Sequence, residues 1–287
     1  MPAEALHLEL LHSCPSACLA CDHRRAGSAR LSLAALAPLF SSPRFKGLRL
    51  VSFSGGEPLL HPELAAIMNK AAGAFPAAAL VLLSSLYDGD KALALLRSLP
   101  AAVLARLHLG SSLDGPAPLH DELRGRPGAF AALKKAHAAV KREFPRLSTG
   151  FTFTATRLNA AAFYQTWLEA KKLGAPLGIQ FLAPNANTAG LELGAADKKA
   201  LAAGLKAAQA EAPSGNLAAA LDFLAGKPAP GPCGAGTAFY LFSPEGLFYL
   251  CPFHKGLTAP PGSESALRRR LPSSSPSCAS CFLRCAR

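Results

Sequence analysis

The sequence lacks the features of several common protein classes. No apolar run reaches the length of a membrane-spanning helix, and the N-terminus lacks the basic segment, apolar core and small-residue cleavage site of an export signal. No phosphate-binding Walker loop, Ser–His–Asp arrangement or paired-carboxylate motif is present. We therefore expect a cytoplasmic protein with no membrane partner, whose chemistry depends on other residue types.

Acidic residues are scarce, with 18 Asp and Glu against 30 Lys and Arg, which gives a formal net charge of +12. A charge of this size can attract nucleic acid. However, the densest basic run is only Arg268 to Arg270, and the other basic residues lie on predicted helical faces without interleaved aromatic residues. We therefore do not expect nucleic acid to be a partner.

The hydrophobic pattern predicts an α/β fold. Apolar and β-branched runs alternate with segments of helical periodicity, which is typical of βα units that build a parallel sheet. Six strands are predicted at about 5–11, 47–53, 79–84, 105–112, 148–156 and 177–182. Helices are predicted between them near 31–40, 62–74, 89–98, 119–142 and 160–173. Six such units indicate a partial barrel rather than a closed barrel of eight.

The alternation stops near residue 184, which predicts three regions. Residues 1–184 form the partial barrel, and residues 185–230 form a helical linker with helices at 195–212 and 216–226. The segment Gly226 to Pro232 is rich in proline and glycine and marks a boundary. Residues 231–287 then carry a predicted β-hairpin, with strands at 239–242 and 247–250, and a cysteine-rich tail.

Eight cysteines fall into two groups, Cys14, Cys18 and Cys21 near the start and Cys233, Cys251, Cys278, Cys281 and Cys285 near the end. Without an export signal, metal ligation is a better interpretation than disulfides. A structural zinc ion normally has four protein ligands, whereas three thiolates on a cubane cluster leave one iron open. The alternative for the first group is a zinc site completed by His12 or His23.

Two spacings resemble a known superfamily. Cys14-x3-Cys18-x2-Cys21 follows the first strand, and Gly55-Gly56-Glu57-Pro58 follows the second. This combination resembles the radical S-adenosylmethionine (radical SAM) enzymes. The segment from Ser111 to Gly125 resembles the fourth-strand region of those radical SAM enzymes that carry a SPASM or a shorter twitch domain. The resemblance implies a partial (β/α)6 radical SAM barrel with a small C-terminal twitch- or SPASM-like domain.

The resemblance also implies a cofactor site. Cys14, Cys18 and Cys21 would bind a [4Fe–4S] cluster whose open iron is chelated by SAM. The remaining SAM contacts would come from Gly55, Gly56, Glu57, Pro58, Ser112 and Asn159, although Asn159 is equally well explained as a helix N-cap. The sequence departs from the family at Ala20, where an aromatic residue is common, and at Ser84-Ser85, where Asn-Gly is common.

The second cysteine group resembles an auxiliary cluster site. Cys233-x12-Gly246-x4-Cys251 has the spacing with which twitch and SPASM domains open, and Cys278-x2-Cys281-x3-Cys285 follows. We assign Cys233, Cys251, Cys278 and Cys281 to an auxiliary [4Fe–4S] cluster. Cys285 is then a replacement for Cys278 or Cys281, a spare thiol, or a ligand of a second cluster. The alternative is a site like that of a zinc ribbon.

These expectations define a function. The chain would be a radical SAM oxidoreductase or maturase that generates a 5′-deoxyadenosyl radical, with the auxiliary cluster in electron transfer. Its substrate would be a peptide, as in the maturation of ribosomally synthesised peptides (RiPP type). The partners would be that substrate and a reductant such as flavodoxin or ferredoxin. The alternatives are a twitch-type dehydrogenase of a small molecule and a non-enzymatic zinc-binding protein.

Overall fold

A nine-stranded sheet forms the centre of the computed structural model, which describes residues 2–23, 27–227, 233–270 and 281–282. The spatial order of the strands is β6-β5-β4-β3-β2-β1-β7-β8-β9. Six consecutive parallel strands confirm the predicted barrel strands, namely β1 (Ala5–Glu9), β2 (Leu50–Ser54), β3 (Ala79–Leu83), β4 (Leu107–Ser112), β5 (Ser148–Ala155) and β6 (Leu177–Phe181).

The two faces of β1 show how the sequence pattern becomes a layered core. Leu6, Leu8 and Leu10 point to one face and are fully buried with the helices. His7 points to the other face, where its ring nitrogens contact the hydroxyls of Ser52 at 2.6 Å and Ser54 at 2.8 Å. Because side chains alternate along a strand, the helical face is apolar and the opposite face can carry polar groups.

The helices follow the predicted order, with α1 (Leu33–Ser41), α2 (Leu64–Ala74) and α3 (Gly89–Ser98) close to their predicted positions. A short helix, α4 (Ala101–Leu104), was not predicted and begins after Pro100. Helix α7 (Phe163–Lys172) is preceded by a 3₁₀ turn. No helix of the described residues combines the length and apolar composition needed to cross a bilayer.

The prediction of one helix over residues 119–142 is wrong. The structure has two helices there, α5 (Ala117–Arg124) and α6 (Ala129–Glu143). Gly125 ends α5 in a left-handed conformation with φ +55°, and Gly128 precedes α6 with φ +79°. Pro127 lies between them and cannot donate a main-chain hydrogen bond. Because the helical periodicity continues on both sides, the interruption is not visible in the hydrophobic pattern.

This interruption brings α5 against the loop that carries the first cysteines. A Cβ atom added to Gly125 would lie 2.2 Å from the carbonyl oxygen of Ala17. Nearby, the amide of Leu19 donates to the carbonyl of Leu123 at 2.9 Å. The break in the helix therefore positions the cysteine loop.

The C-terminal strands continue the same sheet on the side of β1. Strand β7 (Phe239–Phe242) is parallel to β1, while β8 (Phe248–Tyr249) and β9 (Thr258–Ala259) follow in antiparallel order. The predicted hairpin is confirmed. The sheet therefore crosses the domain boundary predicted at residue 231.

Helices α8 (Ala195–Glu211) and α9 (Gly215–Leu224) occupy the predicted linker region. At the free edge of β6, the side chain of Asn216 in α9 accepts from the amide of Ile179 at 2.7 Å and donates to its carbonyl at 3.2 Å. These bonds satisfy main-chain groups that a neighbouring strand would otherwise pair.

We expect Gly125→Ala to lower the free energy of unfolding by about 2 kcal/mol or more, because a left-handed non-glycine residue and a close contact are both unfavourable. Urea denaturation measures this change. The control is Gly73, an exposed residue of α2 at which an added Cβ atom would have no heavy atom within 4 Å. Gly73→Ala should raise the free energy of unfolding by about 0.5–1 kcal/mol. Equal effects at the two positions would show that the contact with Ala17 is unimportant.

Candidate active site

The loop between β1 and α1 brings its three half-buried cysteines near one another. The pKa of the Cys14 thiol is raised to about 11, mainly by burial and also by Cys18, Glu57 and Cys21, against an opposing main-chain hydrogen bond. Burial likewise raises the pKa of Cys21, with Cys18 contributing. Thiolates that repel one another in a partly dry site need a positive ligand, so these residues fit an iron–sulfur cluster.

Charged and amide side chains from α5 and from the loop after β6 hold this loop. Arg124 donates to the sulfur of Cys18 at 3.8 Å and forms an ion pair with Asp114. After β6, Asn185 donates to the carbonyl of Ala20 at 2.9 Å, and Asn187 donates to the carbonyl of Cys21 at 2.7 Å. A loop without regular secondary structure is thus fixed by contacts that are distant in sequence.

The two glycines after β2 lie against the start of the cysteine loop. Gly55 has φ +128°, and a Cβ atom there would be 2.4 Å from the carbonyl oxygen of Leu11. A Cβ atom on Gly56 would be 2.3 Å from the carbonyl oxygens of His12 and Ser13. The absence of side chains at both positions is therefore required by packing within the protein. Their contact with SAM stays a prediction.

The side chain of Glu57 is engaged within the protein, and its contact with SAM stays a prediction. Its side chain is fully buried, and its oxygens accept hydrogen bonds from the hydroxyl of Ser84 at 2.8 Å and from the amide of Ser85 at 2.8 Å. They also accept from the Ser85 hydroxyl at 2.5 Å and the Leu59 amide at 3.1 Å. With both oxygens engaged, the carboxylate joins the ends of β2 and β3. Pro58 is also buried and begins a 3₁₀ turn, Pro58–Leu60.

Asn159 is not the side-chain N-cap considered for it, and its contact with SAM stays a prediction. It is fully buried, and its side chain makes no N-cap hydrogen bond to the following 3₁₀ turn. Its amide nitrogen donates to the carbonyls of Asp114 and Thr154, both at 3.0 Å, and its oxygen accepts from the amide of Thr156 at 2.7 Å. Asn159 therefore joins the ends of β4 and β5, with no hydrogen-bonding group left for a ligand.

A cavity of about 250 Å³ with polar and apolar lining lies beside the cysteine loop, where β4, β5 and β6 end. Its polar lining comes from Cys18, Cys21, Asp22, Asp114, Arg124, Thr154, Thr156, Gln180, Asn185 and Lys255. The predicted contacts Gly55, Gly56, Glu57, Ser112 and Asn159 are not among its lining residues. Ser112 is half-buried at the end of β4.

Two charged residues of this cavity were missed by the sequence analysis. Arg124 lies inside the segment 111–125 that carries the family resemblance, and Lys255 lies four residues after Cys251. The sequence offered two signals for these residues. Arg124 follows the Asp114-Gly115 turn, and Lys255 follows a cysteine. Neither signal identifies the contacts with Cys18 and Asp22, because these two residues lie in the distant loop after β1.

The structure describes three of the five cysteines in the second group. Cys233, Cys251 and Cys281 are half-buried, and burial raises the pKa of Cys251 to about 11, with Cys233 and Cys281 adding to the shift against two opposing main-chain hydrogen bonds. The structure therefore brings these three predicted ligands together. Cys278 and Cys285 lie outside the described residues.

The histidines considered as zinc ligands are engaged with other groups. The ring nitrogens of His12 contact His23 at 3.0 Å and the carboxylate of Glu245 at 2.5 Å, and His23 lies 3.7 Å from Glu9. Across residues 2–23, 27–227, 233–270 and 281–282, no three His, Cys, Asp or Glu side chains are arranged to hold a single metal ion. A cubane cluster has a different geometry, because each cysteine binds its own iron.

Comparison with solved structures identifies the fold. The chain superposes on native anSMEcpe with bound AdoMet and Kp18Cys peptide with a TM-score of 0.65 and 17% identity, covering 88% of this chain and 75% of that one. Streptococcus suis SuiB bound to precursor peptide SuiA gives a TM-score of 0.64 with 11% identity, over 87% of this chain and 60% of SuiB. Methylornithine synthase (PylB) gives 0.50 with 12% identity, over 67% and 58% of the two chains.

All three are radical SAM enzymes, and the chain therefore has the fold of this superfamily, which confirms the predicted partial barrel. No protein-family model matches the sequence. No curated protein sequence matches it either. At these identities the similarity lies in the fold, so the identity of the site residues depends on the geometry described above.

We expect Glu57→Gln to lower the free energy of unfolding by about 2 kcal/mol, because each carboxylate oxygen accepts from a main-chain amide and the new NH₂ group must face one of them. Asp222→Asn, in an exposed ion pair with Lys227, is the control and should change stability by less than about 0.5 kcal/mol. Urea denaturation compares the two. If the Glu57→Gln variant is as stable as the control, Glu57 does not stabilise the junction between the ends of β2 and β3.

Proposed function

We propose that the chain is a radical SAM enzyme that cleaves S-adenosylmethionine reductively. The observation that supports this best is the grouping of Cys14, Cys18 and Cys21 beside a cavity at the carboxyl ends of the barrel strands. Three cysteines without a fourth protein ligand suit a [4Fe–4S] cluster with one open iron. The fold shared with radical SAM enzymes agrees with this assignment.

When bound, the cluster and SAM supply a 5′-deoxyadenosyl radical that removes a hydrogen atom from the substrate, while the protein positions the reactants. In this chain, Arg124 holds the sulfur of Cys18. Asn185 and Asn187 hold the carbonyls of Ala20 and Cys21, which fixes the third cysteine. The cavity beside them would receive SAM and the reacting part of the substrate.

The other residues predicted to contact SAM are divided by their position into direct and indirect contributors to its binding. The main chain of Gly55 and Gly56, beside the cysteine loop, and the hydroxyl of Ser112, at the end of β4, are the candidates for binding SAM. Glu57, Pro58 and Asn159 would act indirectly, by holding the strand ends that carry these groups. This division follows from burial, because Glu57 and Asn159 expose no part of their side chains.

The C-terminal cysteines would hold an auxiliary [4Fe–4S] cluster. Cys233, Cys251 and Cys281 lie near one another, and Cys278 or Cys285 would complete the set. Phe282 packs on Phe181 at the end of β6, with ring centroids 4.7 Å apart, which places Cys281 beside the cavity end of the barrel. A cluster there would accept an electron from a substrate radical and pass it to the oxidised form of an electron carrier such as flavodoxin or ferredoxin, which is thereby reduced.

The proposed substrate is a peptide, as in RiPP-type maturation. Two of the similar structures contain peptides, namely Kp18Cys in anSMEcpe and the precursor peptide SuiA in SuiB. A small molecule oxidised by a twitch-type dehydrogenase remains the alternative of the same class. Incubation of the reconstituted enzyme with candidate peptides, followed by mass spectrometry, distinguishes the two through the mass change of the peptide.

Anaerobic reconstitution tests the cofactor assignment. We expect about eight irons and eight sulfides per chain, and release of 5′-deoxyadenosine when SAM and a reductant are added. Iron and sulfide analysis and chromatography measure these quantities. Stoichiometric zinc with no cleavage of SAM would instead support a zinc-binding protein and refute the proposal.

Substitution of Cys14, Cys18 and Cys21 by Ala tests which cysteines cleave SAM. Production of 5′-deoxyadenosine should be abolished, while about half of the iron remains on the C-terminal cysteines. Cys233→Ala with Cys251→Ala is the matched variant and should also lose about half of the iron but keep SAM cleavage. Cleavage that persists in the first variant would disprove the site assignment.

A further inference from the structure

A cluster of three charged side chains and one tyrosine lies between the two cysteine groups. It consists of Glu9, Asp22, Tyr249 and Lys255, which we call the bridging cluster. The ammonium group of Lys255 is 2.7 Å from the Asp22 carboxylate and 3.9 Å from that of Glu9. The hydroxyl of Tyr249 donates to Glu9 at 2.7 Å, and Lys255 lies 5.4 Å from the centroid of the Tyr249 ring.

Two residues of the bridging cluster lie close in sequence to the two cysteine groups. Asp22 directly follows Cys21, and Lys255 lies four residues after Cys251. Asp22 and Lys255 line the cavity beside the first cysteines, and both also line a neighbouring cavity of about 260 Å³ beneath the hairpin. The Lys255–Asp22 ion pair is therefore shared by the two cavities.

Lys255 keeps its positive charge in this position. Burial opposes the charge, but Glu9 and Asp22 outweigh burial, and the thiolate of Cys21 acts in the same direction, so the pKa of Lys255 is raised. Its side chain is 38% exposed, so water screens it only in part. A permanent cation thus acts electrostatically on one of the predicted cluster ligands.

A neighbouring charge changes the reduction potential of an iron–sulfur cluster. Reduction adds one negative charge, so a nearby cation favours the reduced form and a nearby anion disfavours it. Lys255 has the geometry for this effect, because it contacts Asp22 beside Cys21. Among the described residues Arg124 is a second cation near the thiols, and it is paired with Asp114 as Lys255 is paired with Asp22.

We propose that Lys255 is a positioning residue that raises the reduction potential of the cluster held by Cys14, Cys18 and Cys21. This inference rests on the proposed function, because it requires a cluster at those cysteines. The step concerned is the transfer of one electron from a reduced flavodoxin or ferredoxin, which is thereby oxidised, to the cluster. Lys255 takes up no proton and forms no bond in this step.

Two substitutions separate charge from structure. Lys255→Met and Asp22→Asn both break the same 2.7 Å ion pair but remove charges of opposite sign. We expect Lys255→Met to lower the ratio of reduced to oxidised cluster about tenfold at a fixed potential, which corresponds to about 59 mV for one electron. Asp22→Asn should shift the ratio in the opposite direction. Redox titration of the EPR signal that responds to added SAM measures both.

The controls use conservative and remote variants. Lys255→Arg keeps the charge and should restore the wild-type potential, while Lys171→Met, in an exposed pair with Glu211, should leave it unchanged. If the reduction potential shifts in the same direction in Lys255→Met and Asp22→Asn, the proposal is overturned. Such a result would mean that the ion pair affects the cluster only by holding the structure together. Unchanged potentials in both would also overturn it.

The same experiment distinguishes this inference from the proposed function. If the wild-type protein binds the cluster and cleaves SAM but the potentials do not move, only the role of Lys255 is refuted. If the reconstituted wild-type protein shows no EPR signal that responds to SAM, both proposals fail. Iron content and thermal stability of each variant confirm that a shift does not come from a damaged cluster.

Discussion

The ion pair between Arg124 and Asp114 joins the ends of the central strands to the cysteine loop. Asp114 is buried, and its second oxygen accepts from the amide of Thr154. Arg124 reaches past it to the sulfur of Cys18. Loss of one partner from such a pair typically costs about 3–5 kcal/mol, because the other charge remains buried. The position of the first cysteines therefore depends on β4 and β5.

The cysteine loop is held from several sides by groups that have no ligand role. Gly55 and Gly56 approach its beginning, Gly125 approaches its centre, and Asn185 and Asn187 hold its end. Each glycine is required because main-chain atoms lie where a side chain would be. A loop with three thiols gains a fixed geometry in this way without disulfides or regular secondary structure. Such rigidity allows a site to be formed before a cofactor binds.

The mouth of the barrel combines acidic, basic and thiol groups at short range. Burial disfavours the ionised thiols of Cys14, Cys21 and Cys251, so each cysteine group favours a positively charged ligand. Lys255 and Asp22 lie between the groups and belong to both surrounding cavities. Lys255 lies between β8 and β9, so the C-terminal segment contributes a charge beside the first cysteine group as well as a strand to the sheet.

The sequence by itself determined the alternating strands and helices, the hairpin and the two cysteine groups, because these depend on periodicity and spacing within short segments. Only the tertiary structure decided the roles of Glu57 and Asn159, whose partners lie 27 and 45 residues away on other strands. The helix break has a local cause in Gly125, Pro127 and Gly128, whereas only the tertiary structure decided the contact of Gly125 with Ala17. Local patterns determine elements, whereas the pairing of buried polar groups depends on which strand ends the fold brings together.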